Sequence, residues 1–431
     1  EVPRRMWELI LADATAAIDA DPLTVFTPLP DRTPGDIAQG NAEYIIVDAA
    51  GQRVLKCALA GLLTGASKFS QAALAQIDCL FERDAWPEWQ DLYHRRSLGF
   101  DADLRTGQFC RDLGVAYDWL HSQIGTQDRQ RMLDGIDRCG IQPFLRSVAQ
   151  NPPWMQQLSN WTTCIVGGLG ICGMGLDTDH ADSAQLITLA ETIMERYLRL
   201  FGAEGEFNEN PSYANASMAP VLFYSALRCH RADPRPFPAL DLLRRHCYWC
   251  LYASAPPGHM VSFGDGGPDY PALTSFFPAV AAALRDPILQ WYYLEYGKSP
   301  RFPIWELLWF DGSLESKAPS PEDLPLGKAY PEHSALASSR TSWDLDSTAC
   351  VVFGKGGHGG NIHSHPDAGQ IEIHGYGKRL IVDLGTVHYP PGDDRRPYYH
   401  FGAQGHNIVT IGGRNPYWEK SGERRSHLSA C

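Results

Sequence analysis

The sequence predicts an α+β chain in two parts, a long helical domain followed by an antiparallel sheet domain. Up to about Gly312 the apolar residues recur at helical spacing. Gly312 to Pro331 is rich in Pro, Ser and charge, as a linker is. Beyond it the apolar runs shorten to β-type segments separated by glycine. Helices followed by strands, rather than alternating with them, mean two domains instead of one α/β unit. The expected boundaries are 1–312 for the helical domain, 313–331 for the linker and 332–431 for the sheet domain.

Each element has its own signal. Arg53 to Leu63 (RVLKCALAGLL) is nearly all apolar, as a helix packed on two sides is. Thr106 to Leu120 places Phe109, Leu113, Ala116 and Leu120 on one face. Asp182 to Phe201 is amphipathic, with Asp182 or Ser183 as its N-cap. Pro238 to Ser254 and Asp286 to Tyr296 continue the pattern. Many helices joined by short Gly/Pro loops suggest stacked hairpins, and a toroid of paired helices buries two-sided helices naturally. Strands are expected at Ser334–Arg340, Thr348–Phe353, Gln370–His374, Arg379–Val382 and Asn407–Ile411, with a hairpin turn at Tyr376-Gly377. These are few for a closed sandwich, so the sheet is either small or lacks a C-terminal part.

Composition sets limits. The 431 residues are 44% hydrophobic and 20% charged, the make-up of a soluble globular protein. A net charge of −13 argues against general nucleic-acid binding. It leaves room for a polyanion held in a locally basic cleft. Arg95, Arg96, Arg105 and Arg111 are candidates to line one, against the plainer role of a solvated helix face. No apolar run approaches membrane-spanning length. The chain begins with Glu1 rather than Met, consistent with removal of an N-terminal segment. The eleven cysteines are scattered and odd in number, so they read as buried thiols. Cys247-Tyr-Trp-Cys250 reads as helix packing.

The histidines are unevenly placed. Seven of fifteen fall between Val351 and Thr410: His358, His363, His365, His374, His388, His400 and His406. In His363-Ser-His365 the spacing puts both imidazoles on one face of a strand. The run Lys378 to Asp383 ends on a carboxylate, and His406 opens the next run. Adjacent strands could join His365, Asp383 and His406 in a metal site with two nitrogens and one oxygen. His363 would stand beside it. The plainer reading is turn and strand-end histidines facing water.

Three stretches of the helical part carry polar chemistry. Asn160-Trp161 opens an apolar, Gly-rich helix, where Asn160 would serve as N-cap. Glu209-Asn-Pro-Ser-Tyr213 is a polar loop, though Tyr213 suits a core position equally. Phe263-Gly-Asp265 is a turn or a ligand loop.

As a set, Asn160-Trp161, Glu209-Asn-Pro-Ser-Tyr213, Phe263-Gly-Asp265, His363-Ser-His365-Pro-Asp367-Ala-Gly369, Val382-Asp383-Leu-Gly385 and His406-Asn407 resemble the heparinase II/III-like superfamily of polysaccharide lyases. The resemblance covers about Asn160 to Thr410. It implies an incomplete (α/α) toroid followed by an antiparallel β-sandwich. It implies that Asn160 neutralises a substrate carboxylate, Tyr213 is the acid/base, and His363 is a base or a second neutraliser. It also implies one divalent metal, mainly structural, on His365, Asp383 and His406; zinc comes first, with Mn2+ or Ca2+ as alternatives. Trp161, Glu209, Arg105 and Arg111 are candidates for substrate contact. The substrate would be an acidic polysaccharide or oligosaccharide: glycosaminoglycans such as hyaluronan, chondroitin sulfate and heparan sulfate first, alginate second.

The residue types suit that chemistry. Elimination removes the weakly acidic C5 proton of a uronate and expels the C4 oxygen. Negative charge builds beside a carboxylate, so an amide donor and an imidazolium lower the barrier. A phenol serves both proton transfers when they lie on one face of the sugar. Two departures stand out. Trp161 occupies a position where some members carry His, which removes one candidate base. Asn210 stands where Gly is more usual, a change expected to matter little. A carbohydrate-binding protein without catalysis and a glycosidase using Glu209 and Asp265 are the alternatives. Export is expected from the substrates of such lyases, while the many thiols favour the cytoplasm mildly.

Overall fold

The computed structural model describes residues 1–233, 239–267, 269–333, 335–345, 349–357, 362–386 and 398–410. Of the positions named above, Pro238, Ser334, Thr348, His358, His388 and Ile411 lie outside these. The chain forms two compact units. One comprises Glu1–Tyr197, Met218–Arg235 and Phe302–Leu308; the other comprises Leu198–Ser217, Pro236–Arg301 and Trp309–Cys431.

The first unit is helical. The helix expected around Arg53–Leu63 runs Tyr44–Thr64, started by the Glu43 carboxylate and stopped by Gly65 at φ 68°. Val54, Leu55, Cys57 and Ala58–Gly61 are all buried, which is the two-sided packing expected. The Leu104–Leu120 helix starts with a capping box of Asp103 and Thr106. It buries Phe109, Leu113, Ala116 and Leu120, as their spacing implied. The Asn160–Leu176 helix starts with a second box, Ser159 with Thr162. A cap of this kind stabilises by about 1 kcal/mol.

Glycines set how these last two helices meet. A Cβ on Gly168 would lie 2.1 Å from the Gly107 carbonyl oxygen, and one on Gly175 would lie 2.1 Å from that of Gly114. Only glycine allows backbones this close. The pairing advances in the same direction on both helices. They therefore run parallel and start at one end, which places Asp103 and Asn160 together there.

The second unit packs the helices Leu240–Tyr252, Phe277–Leu284 and Pro287–Tyr296 with the sheet. A short ribbon pairs β1 (Ser254–Ala255) with β2 (His259–Met260). The main sheet has β3 (Gly327–Tyr330), β4 (Leu336–Arg340), β5 (Cys350–Lys355), β6 (Ile371–Gly375) and β7 (Lys378–Ile381). All neighbours are antiparallel, in the order β3-β4-β5-β6-β7. β3 falls inside the expected linker, whose residues 313–326 have neither helix nor strand. Tyr376 and Gly377 turn β6 into β7 with φ of 56° and 67°, the two positive values a type I′ hairpin needs.

One expected strand does not form among the described residues. Residues 407–410 form no ladder. The Asn407 side chain donates to the Val382 carbonyl at 2.8 Å and its backbone N–H goes to Gln370 Oε1. Side-chain bonds thus replace the ladder there. The thiols of Cys247 and Cys250 are buried and pushed up by burial, as packing residues are.

Candidate active site and metal centre

The second unit gathers most of the expected site. Its anchor is the segment from Gly205 to Ser217. Pro211–Ser217 is a 3-10 helix carrying Tyr213. Asn210 starts it: its Oδ1 accepts from the Tyr213 N–H at 3.1 Å and from Ser212 Oγ at 2.8 Å. His246, fully buried, pins both ends. Its Nδ1 donates to the Gly205 carbonyl at 2.8 Å, and its Nε2 accepts from Ser217 Oγ at 2.9 Å. Burial holds His246 down at about 4, so it is neutral near pH 7, as that bonding pattern requires.

Against this segment lies the loop between β5 and β6. Here the strand expectation fails. His363-Ser-His365 is a turn, with His363 at φ 62°. The two imidazoles therefore part, each to its own carboxylate. His363 Nδ1 donates to Glu209 Oε2 at 2.7 Å. Its ring stacks on Tyr213, with centroids 3.7 Å apart and planes 12° apart. Glu209 is 0% exposed. The expectation that Glu209 contacts saccharide gives way to a carboxylate that fixes the imidazole.

The unusual backbone at His363 is held from two sides. Its carbonyl accepts from Asp265 N–H at 2.9 Å and from Asn210 Nδ2 at 3.0 Å. So Asn210, expected to matter little, joins the tyrosine segment to the histidine loop. Gly264, at φ 67°, makes the approach: a Cβ there would lie 2.5 Å from the His363 oxygen.

The metal candidates lie just beyond. His365 Nε2 donates to Asp265 Oδ1 at 2.8 Å, and His406 Nδ1 donates to Asp383 Oδ2 at 3.0 Å. The opposite nitrogens, His365 Nδ1 and His406 Nε2, are buried and have no hydrogen-bond partner. Such groups are costly unless something satisfies them. With Asp367 these two histidines form a cluster whose donor atoms lie within 4.8 Å of one another. Two imidazole nitrogens and a carboxylate fit a divalent cation. Asp383, a ligand by resemblance, here orients His406. Asp367 also pairs with buried Lys355 Nζ and accepts from Gly264 N–H at 3.2 Å. Asp265 and Asp367 were not singled out as ligand partners from sequence. The signal was present in Phe263-Gly-Asp265 and in the Pro-Asp-Ala-Gly after His365, but neither has a helical or strand period to place it.

Asn160, Trp161, Arg105 and Arg111 belong to the first unit. Ser159, not Asn160, is the N-cap, which leaves the Asn160 amide clear of that role. The Arg105 guanidinium lies over the Tyr44 ring at 5.4 Å. Arg111 Nε donates to Asp112 at 2.7 Å. The guanidinium of Arg111 is therefore engaged by its neighbour. No helix among the described residues is long and apolar enough to cross a membrane.

Comparison with known proteins agrees with the sequence resemblance. Residues 340–428 match the family described as heparinase II/III-like, C-terminal. No curated protein matches the chain. Among solved structures it is similar to a heparinase III with methylated lysines: 15% identity, 96% of this chain, 65% of that one, TM-score 0.57. It is similar to the heparan sulfate lyase HepC from Pedobacter heparinus: 16% identity, 94% of this chain, 65% of that one, TM-score 0.53. A further heparinase III gives 14% identity, 94% and 63% coverage, and a TM-score of 0.56. The chain thus spans 65% of the length of the first of these. The likeness establishes the fold class, an incomplete (α/α) toroid followed by antiparallel β-structure.

Proposed function

We propose that the chain is a polysaccharide lyase that cleaves uronic-acid-containing polysaccharides by β-elimination, glycosaminoglycans foremost and alginate second. The observation that carries this reading is the stack of Tyr213 on the face of His363, with buried Glu209 accepting from Nδ1 at the edge of the imidazole. A phenol and an oriented imidazole side by side are the groups a proton abstraction next to a carboxylate requires.

In this reading Tyr213 handles the protons. The C5–H bond breaks, the C4–C5 double bond forms, and the C4–O bond breaks. The leaving oxygen receives a proton, and the product is a 4,5-unsaturated uronate. Asn160 donates its amide N–H to the substrate carboxylate as charge builds there. His363 stabilises the same charge, or acts as base when proton and leaving group lie on opposite faces. Glu209 keeps the His363 ring in place. A divalent metal on His365, His406 and Asp367 would supply fixed positive charge that holds the histidine loop in shape. Two nitrogen donors favour zinc over Ca2+, which prefers all-oxygen sites. Substrates of this kind are found outside cells, which supports an exported protein.

A glycosidase is less well supported. It requires two carboxyl groups open to the bond. Glu209 and Asp265 are both buried, and each accepts from an imidazole.

The test is ultraviolet absorbance during incubation with hyaluronan, chondroitin sulfate, heparan sulfate, heparin and alginate. A rise on one polymer, cut about a thousandfold in Tyr213→Phe with unchanged melting, is the expected result. A flat trace on every polymer with metal bound would count against the lyase reading.

A further inference from the structure

The start of the Asn160–Leu176 helix has a neighbour that no sequence motif indicates. His94, on the helix Leu92–Leu98, lies with its ring 4.4 Å from that of Trp161, the planes tilted by 55°. Its Nδ1 donates to Asp103 Oδ2 at 2.8 Å. Asp103 is buried and already engaged: it caps the Leu104–Leu120 helix and accepts from the Asp91 N–H at 3.0 Å. The helix cap therefore does not need the histidine. A carboxylate on Nδ1 fixes the tautomer and leaves Nε2 as the reactive nitrogen. Among the described residues His94 Nε2 makes no hydrogen bond, and the side chain is 25% exposed.

We propose that His94 is a substrate-contacting residue, accepting through Nε2 a hydrogen bond from a hydroxyl of the acidic sugar held at Asn160 and Trp161. The proposal rests on the lyase reading for its ligand, an acidic saccharide. It is independent of which residue moves the proton. The helix that carries it is anchored at its start: the Leu92 N–H donates to Asn41 Oδ1 at 2.8 Å, and Asp91 caps the short helix.

Two variants separate substrate contact from a mere tether between helices. His94→Asn keeps an N–H where Nδ1 stood, so Asp103 stays satisfied, but removes Nε2. His94→Gln places an amide oxygen or nitrogen near Nε2 and disturbs the Asp103 bond. Binding of heparan sulfate, hyaluronan and alginate oligosaccharides to the full chain is followed by tryptophan fluorescence in a Tyr213→Phe background. Substrate contact predicts about tenfold weaker binding in His94→Asn with unchanged melting, and partial recovery in His94→Gln. A tether predicts the reverse: unchanged binding and melting in His94→Asn, with lower melting in His94→Gln. That pattern, or equal binding by both variants, overturns the proposal while leaving the lyase reading intact. Failure of the unmodified chain to bind any of the three saccharides overturns both.

Discussion

The Asn160 end of the first unit and the His363 loop of the second are built by opposite means. Asn160 sits on regular backbone. A capping box starts its helix, and glycine contacts lock that helix to its neighbour. His363 sits on irregular backbone at positive φ, held by side chains and N–H groups of residues far away in sequence. The first construction takes its precision from packing. It should tolerate side-chain changes at the site and fail when a glycine gains a methyl. The second takes its precision from hydrogen bonds. It should lose chemistry and metal before it loses the fold.

The largest effect expected is on the packed end. In Gly168→Ala the new methyl must displace a backbone carbonyl at 2.1 Å, which no rotamer change relieves. Overpacking of this kind costs about 3 kcal/mol. Urea denaturation should show it as a lower midpoint with an unchanged slope. Gly267→Ala is the control, since nothing lies within 4 Å of a Cβ there. Equal midpoints for the two variants would mean that the helices are not locked by glycine.

The stitched loop should respond differently. Asp265→Asn removes the carboxylate behind His365 and should weaken metal binding roughly 10- to 100-fold, with melting of the metal-free protein little changed. Metal content after dialysis reads this directly. The same measurement ranks the two remaining carboxylates. If Asp367 is the ligand, Asp367→Asn loses metal and Asp383→Asn loses less. The opposite ranking would restore Asp383 as the ligand and make Asp367 the partner of Lys355 alone.

A third effect is set by pH. His246 braces the Tyr213 segment as a neutral imidazole, with burial lowering its pKa from 6.5 to about 4. As pH falls below 6.5 the unfolded chain takes up a proton that the folded chain refuses. Stability present above pH 6.5 is therefore lost progressively down to about pH 4. Between pH 7 and 5 this amounts to about 2 kcal/mol. His246→Gln removes that component, so its denaturation midpoint should fall less than the wild type's over the same range. Parallel falls would show that His246 does not sense the change.

This contrast also explains what was legible in the sequence. A nearly all-apolar run found the Tyr44–Thr64 helix, and helical spacing found the Leu104–Leu120 helix, whose burial follows a 3.6-residue period. Short β-type runs separated by glycine, with a Tyr-Gly turn, found β6 and β7. Motif order named Tyr213 and His363, whose rings stack, and His365 and His406, which fall in one cluster with Asp367. The partners Asp265, Asp367 and Asn210 came less clearly, since loop contacts across 100 or more residues have no period. His363-Ser-His365 was misread as strand for the same reason: spacing of two fits a strand only if the backbone is extended, and here His363 is not.

Asn210→Gly gives the smallest effect and the finest test. Asn210 does two things: its Oδ1 starts the turn that carries Tyr213, and its Nδ2 holds the His363 carbonyl. Glycine removes both. Neither bond is strong alone, and each is worth about 1 kcal/mol. The expected result is about a tenfold fall in kcat with KM within twofold, because Tyr213 and His363 lose their mutual position while the saccharide contacts remain. Asn210→Asp divides the two roles. It keeps an acceptor for the Tyr213 N–H but turns a carboxylate oxygen toward the His363 carbonyl, where two acceptors repel. If Asp behaves like Gly, the link to His363 governs the rate. If Asp behaves like the wild type, the turn alone suffices, and the loop owes its shape to Asp265 and Gly264 instead.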